Sequence, residues 1–543
     1  MLITDLLERN AKNTPNEISL VEINPEINEK HAIWHEFELV EAKERNYTRR
    51  EMTWAQFDEK ANKFANLLLK NGIGKGKKVA ILLMNCLEWL PIYFGILKTG
   101  AVVVPMNFRY TADEIKYCLD LAEVDMLVFG IEFVGRIEQI YSKICRVKQF
   151  YFVGGETPSF AENYIKLTSL EQSSKPEIEI DNLEDAAIYF SSGTTGFPKA
   201  ILHSHDALYA ACETELQHHK QERKDNFLCI PPLYHTGAKM HWFGSLLSSS
   251  KAVLLLGVKP EWILRCASEE KITIVWLLVP WAQDILDALD NGEIRLKDLD
   301  LSRLRLMHIG AQPVPPSLIH RWMKYFPNHK YDTNYGLSES TGPGCVHLGI
   351  ENIQKVGAIG RAGYNWQTRI VDEKHRDVVK GSVGELAVKG PGVMKCYYRD
   401  KKATLEVLKD GWLFTGDMAK EDVDGFIHLV DRKKDVIISG GENIYPVQIE
   451  DFLRAHPAIK DVAVIGLPDK RLGEISAAII ECKSGVACTE QEIYDFCAEM
   501  PKYKRPKKII FDKVPRNPTG KIEKPVLREK YCVEGLVATQ CEN

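Results

Sequence analysis

The chain has 543 residues, 45% of them hydrophobic, and a formal net charge of −5 from 70 Lys and Arg against 75 Asp and Glu. That length calls for more than one domain, and that apolar share excludes a disordered chain. The near balance of charge argues against a nucleic-acid binder, which would show a basic face. The thirteen cysteines form no C-x-x-C pair and read as reduced, mostly buried thiols of a cytoplasmic protein. Asp5 and Glu8 interrupt the N-terminus, which lacks the layout of a signal peptide. No apolar run reaches the ~18 residues of a membrane span, and the longest, residues 272–283, reads as core.

In chain order, residues 1–21 read as a helix and a strand. Residues 22–50 are highly charged, and the alternation over 33–40 suggests a surface hairpin with no functional reading. Thr53-x-x-Gln56 is a capping box. Behind it Phe57, Ala61, Phe64 and Leu68 fall at helical spacing, and Gly72 ends the helix. Strand is expected over 79–84, helix over 88–98 and strand over 101–105. A helix opened by Thr111-x-x-Glu114 and a strand over 126–129 follow. This is the rhythm of a parallel α/β sheet, and it recurs from Val253 through Trp276 to Met307. Around Asp431 the texture changes. Short strands over 385–389 and 426–430 precede it. Strands over 462–465, 477–480 and 507–511 follow it, with a helix capped by Thr489-x-x-Glu492 among them. The expected fold class is therefore α/β, with a large N-terminal domain over 1–431, a hinge over 432–434 and a small α+β domain over 435–543.

One stretch organises the rest. A strand ends at Tyr189 and Phe190, and Ser191, Ser192, Gly193, Thr194, Thr195, Gly196, Phe197, Pro198 and Lys199 follow. Glycines let the backbone approach a ligand closely. Successive N–H groups make an anion nest, to which hydroxyls and a lysine add donors. That chemistry suits nucleotide phosphates. The stretch is not a P-loop, because Phe197 and Pro198 follow Gly196, and it is not G-x-G-x-x-G. It resembles the signature loop of the adenylate-forming superfamily, which includes acyl-CoA synthetases, aryl-CoA ligases, luciferases and peptide-synthetase adenylation domains. That loop's form, [ST]-[SG]-G-[ST]-[ST]-G-x-P-K, is matched throughout from Ser191 to Lys199.

Six further motifs resemble those of the superfamily. Gly310, Ala311 and Gln312 lie in the turn that borders the adenine. Asn334, Tyr335, Gly336, Ser338 and Glu339 fall in Y-G-x-[ST]-E, with serine where threonine is more usual. There Tyr335 offers a flat face for a purine and Glu339 a hard oxygen for Mg²⁺. Trp412 to Asp417 match W-[FL]-x-T-G-D, whose aspartate takes the ribose hydroxyls. In the segment from Asp431 to Glu450, Arg432 would also reach the nucleotide, Lys434 would be the hinge, and Gly440, Gly441 and Glu442 would line the CoA path. Lys521 matches the invariant lysine of P-x-x-x-x-G-K. Tyr234 and His235 resemble the segment that lines the acyl pocket, beside Gly336.

The resemblance implies a small β-barrel-like subdomain in the N-terminal domain and a mobile C-terminal domain. It implies ATP, Mg²⁺ and CoA as cofactor and co-substrates, and assigns catalysis to Lys521, Glu339 and Thr194. The expected partners are a small carboxylic acid, ATP and CoA, with no nucleic acid and no membrane span; a homodimer is left open. The expected reaction forms acyl-AMP and then acyl-CoA. A medium- or long-chain fatty acid is the first expectation, from Tyr234, Trp242, Ile309, Leu337 and Val346 as an apolar pocket. An aryl or alicyclic acid, a carrier-protein acceptor, luciferase-like oxidation, and a non-catalytic nucleotide or acyl sensor are the alternatives. Free CoA is favoured because no carrier domain follows Lys521. Lys239 departs from the pattern. A charge there is unwelcome unless paired or turned outward, and if it points inward a polar or dicarboxylic acid gains ground.

Overall fold

The computed structural model describes residues 1–25, 48–191, 198–310, 314–342, 344–440, 442–483, 485–486, 488–516 and 522–538. The expected hairpin over 33–40 lies outside them, as do Ser192, Gly193, Thr194, Thr195, Gly196, Ala311, Gln312, Gly441 and Lys521.

Two large sheets form the N-terminal domain. The first has eight strands, in the spatial order Cys396–Tyr397, Ala200–Ser204, Asp185–Phe190, Val102–Pro105, Lys78–Leu82, Met126–Gly130, Gln149–Val153 and Glu162–Asn163. Its central strands run parallel. They read as continuous apolar runs because helices cover both faces. The second has seven strands, from Lys330–Asp332 at one edge to Arg49–Thr53 at the other. Helix Trp54–Lys70 shows why these layers hold together. Thr53 and Gln56 close the capping box, and Trp54, Phe57, Ala61, Phe64 and Leu68 fall on one buried face. Burying each phenylalanine there contributes ~1.5–3 kcal/mol.

Smaller antiparallel sheets follow. Strands Gln367–Val371, Gly384–Lys389, Trp412–Glu421 and Ile427–Arg432 form the barrel-like unit. The C-terminal sheet is a separate one. It pairs Ile459–Asp469 with Gly473–Cys482 and adds Ile437–Ser439, Glu442–Ile444 and Lys508–Phe511, over its own apolar clusters. No helix among the described residues is long and apolar enough to cross a membrane.

Glu22, the first residue of the highly charged stretch, is fully buried. Arg50 reaches it at 2.5 Å and Leu87 N–H donates to it at 2.9 Å, so the charge is paired at the edge of the core. Trp242, read as a pocket residue, is enclosed by Phe57, Phe94 and Phe243. It sits on helix Thr236–Ser248 where that helix packs on the core, because its indole is too large to leave that apolar contact.

Candidate active site

The glycine-hydroxyl stretch is held at its two described ends, Ser191 and Lys199. Strands Asp185–Phe190 and Ala200–Ser204 pair antiparallel, with Phe190 opposite Ala200. Ser191 N–H donates to the Lys199 carbonyl at 3.0 Å, and Lys199 N–H donates to Ser191 Oγ at 3.1 Å. The two ends of the glycine-hydroxyl segment are thus fixed about one hydrogen bond apart.

Tyr397 joins two motifs that are far apart in sequence. The Lys199 ammonium lies 4.6 Å from the centre of its ring, and its hydroxyl donates to Glu339 Oε1 at 2.8 Å. Burial, then the Glu339 charge, pushes the Tyr397 hydroxyl well above the usual phenol range, so it remains a donor. Glu339 keeps one oxygen turned to this contact, and a carboxylate so held fits a Mg²⁺ ligand beside a phosphate loop. Tyr397 carries no motif of its own in the sequence. Its only signal is the short strand that pairs beside Ala200–Ser204.

The nucleotide side is built from three motifs. Tyr335 is buried and its hydroxyl donates to Asp417 Oδ2. Asp417 and Arg432 face each other across antiparallel strands, and Arg432 Nε stands 3.4 Å from Asp417 Oδ1. Burial disfavours the Arg432 charge, but Asp417 and Tyr335 more than offset it and hold the guanidinium above its usual value. Asn334 Oδ1 accepts from His308 Nε2 at 3.0 Å, and a Cβ at Gly310 would come within 3.1 Å of that same oxygen. Gly336 is required by close approach: a Cβ there would lie 2.6 Å from the Gly342 carbonyl. The Ser338 carbonyl accepts from His203 Nε2 at 2.8 Å.

On the acyl side, His235 caps helix Thr236–Ser248, its Nδ1 accepting from Gly237 N–H at 3.2 Å. The Tyr234 ring meets Phe108 edge-on, and its buried hydroxyl has no hydrogen-bond partner among the described residues. Lys239, one turn further on, points inward and is fully buried. Its ammonium lies 4.3 Å from the Tyr189 ring centre and 5.4 Å from that of Tyr93, and donates to the Leu233 carbonyl at 3.3 Å. Burial holds this amine well below the usual lysine range.

In the C-terminal domain Gly440 takes φ +59°, and its N–H donates to the Leu472 carbonyl at 2.8 Å. Lys434 is exposed, and desolvation, then the Arg432 charge, lowers its affinity for a proton. Glu442 is exposed on strand Glu442–Ile444. Burial raises the Glu523 carboxyl above its usual value, and the charge of Arg109 opposes that shift.

Known proteins share this architecture. Residues 7–398 match the family described as AMP-binding enzyme, and residues 448–521 match the AMP-binding enzyme C-terminal domain. The long-chain-fatty-acid–CoA ligase FadD13 of Mycobacterium tuberculosis (strain CDC 1551 / Oshkosh) is 32% identical over 496 residues, 88% of this chain and 93% of the relative. The 2-succinylbenzoate–CoA ligase of Bacillus cereus (strain AH820) is 31% identical over 482 residues, with the same coverage. Among solved structures, the Mycobacterium tuberculosis fatty acyl CoA synthetase superposes with a TM-score of 0.73 at 28% identity, covering 98% of this chain and 99% of that one. The anthranilate CoA ligase AuaEII in complex with anthranoyl-AMP gives 0.88 at 24% identity, covering 99% and 98%, and so supports the fold. The chain belongs to the AMP-binding enzyme family and is an AMP-forming acid–thiol ligase of the adenylate-forming acyl-CoA synthetases.

Proposed function

We propose that this ligase activates a carboxylic acid bearing a second polar or anionic group, which Lys239 reads, and transfers it to CoA. The observation that carries this reading is the Lys239 ammonium, fully buried above Tyr189, with the Leu233 carbonyl for its hydrogen bond and no carboxylate against it among the described residues. An isolated buried charge costs several kcal/mol unless a ligand or neighbour neutralises it. The buried Tyr234 hydroxyl offers a second polar contact on the same side.

In the first step a carboxylate oxygen attacks the α-phosphorus of ATP. The new P–O bond forms as the α–β anhydride breaks, and pyrophosphate leaves with the electron pair. Anion meets anion, so catalysis is mostly charge neutralisation and alignment. Lys521 bridges the carboxylate and the α-phosphate, while Ser191, Ser192, Gly193, Thr194, Thr195, Gly196 and Lys199 cradle the phosphates. Glu339, held by Tyr397, would hold Mg²⁺, which would supply charge against the phosphates. Tyr335, Asn334, Gly310, Ala311 and Gln312 frame the adenine, and Asp417 with Arg432 takes the ribose.

In the second step the CoA sulfur attacks the acyl carbonyl. A C–S bond forms, the C–O bond to AMP breaks, and the thiol proton passes to solvent. Lys521 blocks that face until the small domain turns about Lys434, a hinge transition, and brings Gly440, Gly441 and Glu442 to the pantetheine. A carrier protein as acceptor uses the same chemistry.

A plain medium- or long-chain fatty acid is the second reading. The 32% identity to a long-chain-fatty-acid–CoA ligase and the apolar Ile309, Leu337 and Val346 favour it. Pyrophosphate release with pairs of acids of equal length, with and without a terminal carboxylate, decides between the two. The proposal expects the dicarboxylic member to be preferred at least about tenfold. Equal or reversed preference returns the assignment to the fatty acid.

A further inference from the structure

Behind Asn334 a chain of buried polar side chains runs into the core. His219 ends helix His205–His219, and Glu215 stands one turn before it. His308 lies on strand Leu306–Gly310, directly opposite Asp332 on strand Lys330–Asp332. These four side chains are fully buried, whereas Asn334 is only half-buried on strand Asn334–Tyr335.

The contacts along this chain fix where the protons sit. His219 Nδ1 stands 2.6 Å from Glu215 Oε1, and its Nε2 stands 3.4 Å from Asp332 Oδ2. Asp332 Oδ1 accepts from Thr333 N–H and Gly349 N–H, both at 2.9 Å, which fixes that carboxylate. An imidazole between two buried carboxylates is stabilised as the imidazolium, because each charge offsets the cost of burying the other. Burial disfavours the His219 charge, but Glu215 and Asp332 outweigh it and raise its pKa to about 9. Both ring nitrogens of His219 therefore donate. His219 Nε2 meets His308 Nδ1 at 2.6 Å. Two protons cannot share that gap, so His308 Nδ1 accepts and His308 carries its own proton on Nε2. That proton is donated to Asn334 Oδ1 at 3.0 Å. The two ends of the Asn334 amide are thereby told apart: the oxygen faces His308, beside Gly310.

We propose that His219 and His308 are positioning residues for ATP: the protons donated from His219 to His308, and from His308 to Asn334, lock the Asn334 amide with its N–H groups toward a ring nitrogen of the adenine. This rests on the proposed function, in which Asn334 borders the base. Adenine presents ring-nitrogen acceptors such as N3 and N7, which an amide N–H satisfies. The opposite orientation of the amide would set its oxygen against those lone pairs. An amide held in one orientation before the nucleotide arrives has less freedom to lose on binding. The charge at the buried end adds to this. Hydrogen bonds from a charged donor are stronger than neutral ones, and bonds in a chain polarise one another, so the imidazolium strengthens the hold of His308 on Asn334. An ion pair that served packing alone would end at Glu215 and Asp332, whereas this chain continues outward to Asn334.

The test is ATP affinity of the full-length protein by titration calorimetry, with no acid present, so that the identity of the acid does not enter. Asn334→Ala and His308→Leu should each weaken ATP binding roughly three- to tenfold. The double variant should be no weaker than either single one, because both remove the same contact. His308→Gln, whose amide accepts from His219 and donates to Asn334, should restore most of the loss. Asn334→Asp keeps an oxygen for His308 but has no N–H, and should bind ATP no better than Asn334→Ala. Thermal melting checks the fold of each variant. Loss in Asn334→Ala with unchanged affinity in folded His308→Leu overturns the positioning role and leaves Asn334 at the base. Unchanged affinity in both removes Asn334 from the base, and the positioning role falls with it. Additive losses without rescue by His308→Gln make His308 a packing residue and overturn the proposal. Should His308→Leu fail to fold, weak binding by folded His308→Gln, or wild-type binding by Asn334→Asp, overturns it instead.

Discussion

Lys239→Met tests the buried amine from two directions. Methionine keeps the length of the side chain and removes the charge. Lys239 is fully buried and surrounded by Tyr189, Tyr93 and Trp89. Replacing an isolated buried charge with an apolar residue of similar volume stabilises by ~1–4 kcal/mol, which raises Tm by a few degrees. The sign with pH follows from burial, which lowers the lysine pKa in the folded state. The unfolded chain then binds the proton more tightly, so the penalty is fully present below the folded pKa. It disappears as pH rises through that value toward the ordinary lysine value. The Tm gap between variant and wild type should therefore be widest below the folded pKa and narrow steadily toward alkali, as read by calorimetry across pH. On activity, losing a buried charge contact to substrate costs ~2–5 kcal/mol. At ~1.4 kcal/mol per decade that is a loss of roughly thirty- to a few-thousand-fold in kcat/KM for an acid with a second carboxylate. Turnover of a plain fatty acid should be unchanged or improved. A variant that melts lower at every pH and keeps its preference among acids would refute the reasoning.

Three further outcomes follow from named contacts. Glu339→Gln should lower acid-dependent pyrophosphate release ~10²–10³-fold while AMP binding by calorimetry stays close to wild type. Gly336→Ala should lower Tm and adenylation together, because its Cβ would meet the Gly342 carbonyl at 2.6 Å; an unaffected Tm would show that the loop has room to shift. Gly441→Leu should spare ATP–pyrophosphate exchange and stop CoA ester formation, and normal thioester formation would remove that glycine from the CoA path.

Much of the architecture was legible because buried strands are written as apolar runs. The strands through Val79, Val103 and Met126 have no polar face to hide, and Thr53 and Thr111 cap their helices where the capping pattern places them. Motif spacing also named the residues that meet. Tyr335, Asp417 and Arg432 are 82 and 15 residues apart along the chain, yet they contact one another. Pairings without a local pattern were not legible. Tyr397 reaches Glu339 only because its strand is added beside Ala200–Ser204. The burial of Glu22 was not legible because Arg50, its partner, lies 28 positions on. The buried His219, His308, Asp332 and His347 come together from one helix, two paired strands of one sheet and a strand of another, and no spacing in the sequence announces it. Lys239 was visible as an oddity, but its direction depends on the rotation of helix Thr236–Ser248, which only packing sets.

The central claim is that one ammonium from the small domain serves the first half-reaction and must leave for the second. Lys521→Ala, assayed separately for acid-dependent pyrophosphate release and for CoA ester formation from supplied acyl-AMP, measures this directly. The account predicts that the first activity is abolished and the second is largely kept. Equal loss of both, or an intact first step, would contradict it.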